Sequence, residues 1–124
     1  MSVYLELFVL QPADLQRSKI YTVPRTKLFV PQDYNVLHQV GGCEGYFQNY
    51  PAPVVKALEL PVIMEVEVEG KDYRSDRFDC PLKVSLAGEF KKVKLTEGTC
   101  QEMKAIFAYL AALDPQTPIL VWWR

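Results

Sequence analysis

Apolar and polar residues alternate along several short stretches of this chain, and one longer stretch near its end has a helical period. In residues 99–113, TCQEMKAIFAYLAAL, apolar residues recur at the spacing i, i+3, i+4 and i+7, which gathers them on one helical face. Thr99 and Glu102 have the spacing of a capping box, and Asp114 precedes a proline that disfavours helix. The pattern predicts one long amphipathic helix, whose apolar face carries Met103, Ile106, Phe107, Leu110 and Leu113.

Two stretches are apolar on both faces when read as strands. Residues 3–10 are almost continuously apolar, which favours a strand inside a sheet or one covered on both sides. Residues 118–124 form a second such stretch, in which Trp122 and Trp123 point to opposite faces and both need cover. We therefore expect this final strand to return into the interior of the sheet.

Two hairpins are predicted in the second half of the chain. Residues 62–69 place valines mainly on one face and glutamates on the other, and a glycine-first turn at residues 70–71 sets Val68 opposite Tyr73. A second turn at residues 88–89 pairs the short strands on either side of it. Both connections make antiparallel sheet.

The first half of the chain gives weaker signals. Residues 17–23 and 27–30 are interpreted as two strands around a turn at Pro24. Residues 33–40 fit a strand and a short helix equally well, and the glycines and prolines of residues 41–53 indicate a loop. The whole pattern predicts a single α+β domain over residues 1–124, with a mainly antiparallel sheet of about six to seven short strands packed by the 99–113 helix.

Composition and charge disfavour several classes of protein but do not identify a function. The chain has 124 residues, of which 49% are hydrophobic and 23% charged, with a net charge of −1, so no global field favours nucleic acid or a membrane surface. Neither a membrane span nor a secretory signal is recognised, and we expect a cytoplasmic protein. Three cysteines and one histidine without C-x-x-C spacing predict no disulfide scaffold, no metal site and no cofactor.

One pair of residues offers a route to catalysis. His38 and Cys43 lie five residues apart around two glycines, and a thiolate beside an imidazole is a known nucleophile arrangement. No third residue stands out as an orienting group, and no established catalytic motif occurs. A thiol-dependent enzyme is therefore the weakest of three hypotheses.

The favoured hypothesis is a non-catalytic binding protein that contacts another protein or a copy of itself as a homodimer. The aromatic residues of the 41–53 loop are typical of interface anchors, although such rings also fold back onto a core. The outer face of the predicted helix carries no charge over residues 105–113, which suits close approach of a partner, although alanine is also the best helix former. The candidate contact residues are Tyr46, Phe47, Tyr50, Ala105, Ala108 and Ala112.

The alternative is a nucleic-acid-binding module that uses a basic β-ribbon at residues 17–27. No acidic residue occurs between Asp14 and Asp33, and cations with an interleaved aromatic residue suit phosphates and bases. Pairing of these cations with the chain's own glutamates at residues 65–69 is the competing interpretation. The candidate ribbon residues are Arg17, Lys19, Tyr21, Arg25 and Lys27.

Overall fold

A computed structural model of the chain describes residues 3–16, 19–21, 27–41, 45–60 and 64–124, and it has an α+β fold. The strands in these residues are β1 (Leu5–Val9), β2 (Lys19–Tyr21), β3 (Lys27–Val30), β4 (Glu65–Val68), β5 (Lys71–Tyr73), β6 (Lys83–Leu86) and β7 (Pro118–Trp123). The helices are α1 (Tyr34–Leu37) and α2 (Gln101–Ala112), with 3-10 segments at Pro12–Gln16 and Ala87–Lys92.

The described strands form two sheets, so the prediction of one sheet of six to seven strands was wrong. The first sheet is antiparallel in the order β3-β1-β7-β6. The second has the order β2-β4-β5, with β2 parallel to β4 and β4 antiparallel to β5. The apolar side chains of β4, Val66 and Val68, pack against one face of the first sheet instead of extending its edge. The two sheets form separate layers because the apolar face of β4 is buried against the first sheet.

Strands β1 and β7 of the first sheet are buried on both faces, as their doubly apolar sequences predicted. Leu5, Leu7 and Trp123 face a core completed by the helices. On the opposite face, Phe8 and Trp122 lie in a second core with β4. β1 and β7 are the two central strands, which confirms that the final strand returns into the sheet interior.

Helix α2 is shorter than predicted. It has 12 residues, begins after Cys100 as N-cap and ends before Leu113, so the expected long helix over residues 99–113 was wrong. The capping box does not form, because the buried Thr99 hydroxyl accepts a hydrogen bond from the Thr96 backbone N–H (3.0 Å) in the preceding turn. The apolar face is confirmed, since Met103, Phe107 and Leu110 are buried.

The first hairpin forms with a different register. Glu69 and Gly70 both have positive φ, at 51° and 79°, and they occupy the turn in place of residues 70–71. Two positive φ values are the requirement of a type I′ turn, whose twist matches the flanking strands. Val68 consequently pairs with Lys71, and Val66 with Tyr73. Because the shift is two residues, each side chain keeps its predicted face.

The second predicted hairpin does not form. The chain after β6 enters the 3-10 segment Ala87–Lys92, and β6 pairs with β7 instead. The backbone N–H groups of Ala87 and Gly88 donate to the carbonyls of Thr117 and Pro115, at 2.8 and 3.0 Å. These bonds tie the end of β6 to the start of β7, which satisfies the donors that a hairpin turn would have used.

The ambiguous stretch 33–40 contains the short helix α1. Asp33 is its N-cap, and one carboxylate oxygen accepts a hydrogen bond from the Asn35 backbone N–H (3.0 Å). Val36 and Leu37 are buried in the core beneath the first sheet. The N-cap explains why this stretch forms a helix and not a strand, because the Asp33 side chain accepts a hydrogen bond from one of the backbone N–H groups that the first helical turn leaves unpaired.

Candidate functional site

The aromatic residues after the glycine-rich turn fold onto the core as a cluster. Phe47 is buried, and its ring centroid lies 5.0 Å from that of Tyr46 and 6.0 Å from that of Trp123. The hydroxyls of Tyr46 and Tyr34 are 3.1 Å apart. Of the three predicted loop anchors, Tyr50 alone is exposed, while Tyr46 is half-buried. Phe47 therefore fixes the loop and leaves Tyr50 at the surface.

A cleft of about 270 Å³ opens beside this cluster. The rings of His38 and Tyr50 are in tilted contact on one side, with centroids 4.9 Å apart and a 31° angle between their planes. At this distance the two rings pack against each other, as aromatic pairs do. The remaining lining residues include Phe47, Gln48, Pro51, Ala52 and Pro53.

Gly41 shapes the floor of the cleft. Its φ is +88°, and a Cβ there would lie 3.1 Å from the Pro53 Cβ, so no other residue fits without strain. The Gly41 carbonyl accepts a hydrogen bond from the Trp123 indole N–H (2.7 Å). This hydrogen bond attaches the Gly41 backbone, which lines the cleft, to the central strand β7. Sequence reasoning treated this glycine only as a loop signal, because the approach of Pro53 is a tertiary contact.

The hypothesis of a thiol–imidazole pair at His38 and Cys43 is not tested by the described residues. Cys43 lies outside the described residues, so the proposed thiol–imidazole pair is not placed. The Nδ1 atom of His38 is buried and has no hydrogen-bond partner in the part of the chain that the structure describes. A catalytic histidine needs an orienting group on its second nitrogen. The ring packs against Tyr50 instead.

The outer face of α2, proposed from the sequence as a contact surface, is exposed in the structure. Ala105, Ala108 and Ala112 all lie at the surface. Tyr109 is the large apolar side chain beside them and is 45% exposed. These residues form a flat, uncharged helix surface that is separate from the apolar face buried in the core.

The basic ribbon predicted over residues 17–27 is not formed as one ribbon. Lys19 lies in β2 and Lys27 in β3, and these strands belong to different sheets. The Lys19 ammonium lies 2.7 Å from Asp72, while that of Lys27 lies 3.0 Å from Glu6. Arg17 and Arg25 lie outside the described residues, and Tyr21 contributes only its backbone to the description of β2. Lys19 and Lys27 thus form ion pairs with carboxylates of the chain itself.

One buried carboxylate has a perturbed pKa. Asp76 closes a turn by accepting hydrogen bonds from the backbone N–H groups of Phe78 (2.8 Å) and Cys80 (3.2 Å). Burial raises the pKa of Asp76 above its usual value, and these two hydrogen bonds and the charge of Lys83 offset part of that increase. The ionised form of Asp76 is therefore less favoured in the folded chain than in the unfolded one.

Asp76→Asn is expected to keep the turn and remove the cost of burying a charge. A carboxyl group with a raised folded-state pKa destabilises the fold above that pKa, and the cost disappears as the pH falls through it. At neutral pH the Asn variant should therefore be at least as stable as the parent in urea unfolding, and its advantage should shrink toward about pH 4. Asp76→Ala is the control, and it should lose about 1–3 kcal/mol at both pH values because two N–H groups lose their acceptor. An Asn advantage that grows with acid would contradict this assignment.

Two further kinds of site are absent from the described residues. They contain no group of three or more His, Cys, Asp or Glu side chains that could hold a metal ion. None of their helices has the length and apolar character that crossing a membrane requires. The chain matches no protein-family model, no curated protein and no solved structure. A proposal for its function therefore depends on the cleft and the surfaces around it.

Proposed function

We propose that this chain is a non-catalytic binding protein that contacts another protein chain, either a second copy or a different protein. The cleft beside Tyr50 carries the proposal. It accepts an apolar side chain from an extended segment of the partner, and the exposed ring of Tyr50 forms its outer wall.

The size and chemistry of the cleft favour a side chain over a small molecule. Its volume of about 270 Å³ is close to the lower end of the ~300–1,000 Å³ typical of small-molecule sites, and one apolar side chain fits within it. None of the described residues that line it is Asp, Glu, Lys or Arg, so this part of the lining offers no fixed charge to an ionic ligand. Rings and prolines instead give rigid apolar walls, which suit a partner's apolar or proline-rich segment.

Preorganisation is the second argument for this cleft. Phe47 contacts Tyr34, Tyr46, Tyr50 and Trp123 through its ring, so the wall rests on the core. Little side-chain freedom remains to be lost when a partner binds, and this raises affinity for a given contact area. The uncharged surface at Ala105, Ala108 and Ala112 offers a second place for the same or another partner to pack.

The test uses substitutions that place a charge on one surface at a time. Ala52→Glu puts a carboxylate at the mouth of the cleft, and Ala108→Glu puts one on the outer face of α2. Ala13→Glu is the matched control, because Ala13 is also exposed and lies in the segment Pro12–Gln16, away from the cleft lining. Each protein is analysed by light scattering and by selection from a displayed library of random peptides, with affinities then measured by calorimetry.

The expected result is that the parent either forms a dimer or selects peptides rich in apolar residues and proline. Ala52→Glu should halve the mass or abolish peptide binding, while Ala13→Glu should change neither. If Ala108→Glu disrupts the dimer and Ala52→Glu does not, the contact is at the helix and the cleft assignment is wrong. A parent that is monomeric and selects no peptide would overturn the proposed function.

A further inference from the structure

One end of the first sheet exposes two aromatic rings that the core does not need. Phe29 in β3 is 51% exposed and Tyr4, just before β1, is 40% exposed. Their ring centroids are 6.0 Å apart. The registers place Phe29 opposite Glu6, and Tyr4 exchanges two 2.8 Å backbone hydrogen bonds with Arg124. Because directly paired residues share a face, these side chains all lie on the face that the second sheet covers further along.

Two cations lie beside the rings. The Lys27 ammonium and the Arg124 guanidinium lie 3.0 and 2.9 Å from the same Glu6 oxygen. The guanidinium also lies 5.3 Å from the centroid of the Trp122 ring. Glu6 is 1% exposed, whereas both cationic side chains reach the surface. One buried carboxylate therefore positions two positive charges, and the group carries a net charge of +1.

We propose that this open sheet face, formed by Tyr4, Phe29, Lys27 and Arg124, binds single-stranded nucleic acid. The π-face of an unpaired base stacks on Phe29 or Tyr4, and neighbouring phosphates contact the two cations. The charges decide between occupants, since an apolar protein segment would leave the surplus positive charge unmatched at the interface. The proposal goes beyond protein binding at the cleft, because it uses another surface and another ligand.

The geometry also differs from that of the basic ribbon predicted over residues 17–27. Only Lys27 is common to both. A sheet face with exposed rings on neighbouring strands offers adjacent stacking positions, so the ligand must have unstacked, accessible bases. Duplex DNA hides its base faces and should compete poorly.

The experiment measures fluorescence anisotropy of labelled oligothymidylate and oligouridylate of about 12 nucleotides, within the usual range of single-strand site sizes. The parent should bind at low salt, and log K should fall with log salt with a slope of about −1.4, as expected for two phosphate contacts. Phe29→Leu and Tyr4→Leu keep an apolar side chain but remove the ring. Each should weaken binding by roughly tenfold or more, since stacking on an aromatic ring supplies about that much per base.

Tyr109→Leu is the matched control, because Tyr109 is an exposed tyrosine on α2, among the alanines of its outer face. It should leave the affinity unchanged, and Phe29→Trp should preserve or strengthen binding. The rings are varied because the loss of either cation would leave Glu6 less neutralised and perturb the fold. No rise in anisotropy at low salt, or full binding by Phe29→Leu and Tyr4→Leu, would overturn the proposal. Equal loss in Tyr109→Leu, or a salt slope near zero, would do the same.

Discussion

Phe107→Ala is expected to lower the free energy of unfolding by ~3–5 kcal/mol, as truncation of a buried aromatic side chain does. Phe107 is 7% exposed, and its ring centroid lies 6.5 Å from that of Phe90, which belongs to the 3-10 segment after β6. The side chain thus joins α2 to the core under the first sheet. Alanine would leave a cavity there that a close-packed interior fills only in part.

The measurement is urea unfolding followed by circular dichroism, with a substitution on the same helix as control. Tyr109→Ala removes a large ring from the exposed face of α2 and should change stability by no more than about 0.5 kcal/mol. The two variants differ mainly in burial, so helix propensity does not explain a difference between them. A loss below about 1 kcal/mol for Phe107→Ala would show that the helix does not depend on this face.

The features predicted correctly from the sequence are those that depend on the local spacing of apolar residues. The apolar face of α2 follows from a 3.6-residue period, and the burial of β1 and β7 follows from strands that are apolar on both faces. The division into two sheets was not predictable in this way. The alternation of Val66 and Val68 shows that one face of β4 is buried, but it does not show whether β4 adds to a sheet edge or packs on a sheet face.

The errors at helix and hairpin ends have a different origin. Thr99 has the right side chain for an N-cap, but its hydroxyl is engaged by the Thr96 N–H. Glu69 enters a left-handed conformation that its side chain does not favour, because the twist of β4 and β5 selects the type I′ turn. At Thr99 a competing hydrogen bond overrides the preference of threonine for the N-cap position. At Glu69 the twist of the sheet overrides the preference of glutamate for a negative φ.

The candidate site was predictable in its composition and not in its geometry. The aromatic residues of the loop were recognised, but which of them lies in the core depends on the contact of Phe47 with Trp123. The contact of His38 with Tyr50 likewise joins α1 to the end of the loop. Pairing of the ribbon cations with the glutamates at residues 65–69 was the competing interpretation, and Lys19 lies 4.0 Å from Glu65 and 3.6 Å from Glu67. The partner of Lys27, Glu6, is distant in sequence and was not predicted.

The buried carboxylate on the open sheet face leads to the second large effect. Replacing Lys27 and Arg124 together with methionine is expected to cost about 3–5 kcal/mol at neutral pH, because Glu6 would then be a buried charge without a counter-ion. The methionines keep much of the apolar stem, so lost packing contributes little. One Glu6 oxygen already lacks a hydrogen-bond partner among the described residues, so none of these residues offers that oxygen a compensating donor.

Adding Glu6→Met to the double variant should recover most of that loss, since an apolar group of similar volume replaces an ion pair at little or no cost. Lys19→Met is a matched control. The Lys19 side chain is 29% exposed, close to the 30% of Lys27. It lies 4.0 Å from Glu65 and 3.6 Å from Glu67, and its nearest carboxylate, that of Asp72 at 2.7 Å, is 49% exposed. An ion pair with such a solvated partner contributes only ~0–1 kcal/mol. Urea unfolding of these three variants and the parent separates the two cases. A triple variant no more stable than the double one would mean that Glu6 is not the source of the loss, and that the two cations stabilise the sheet through their own contacts.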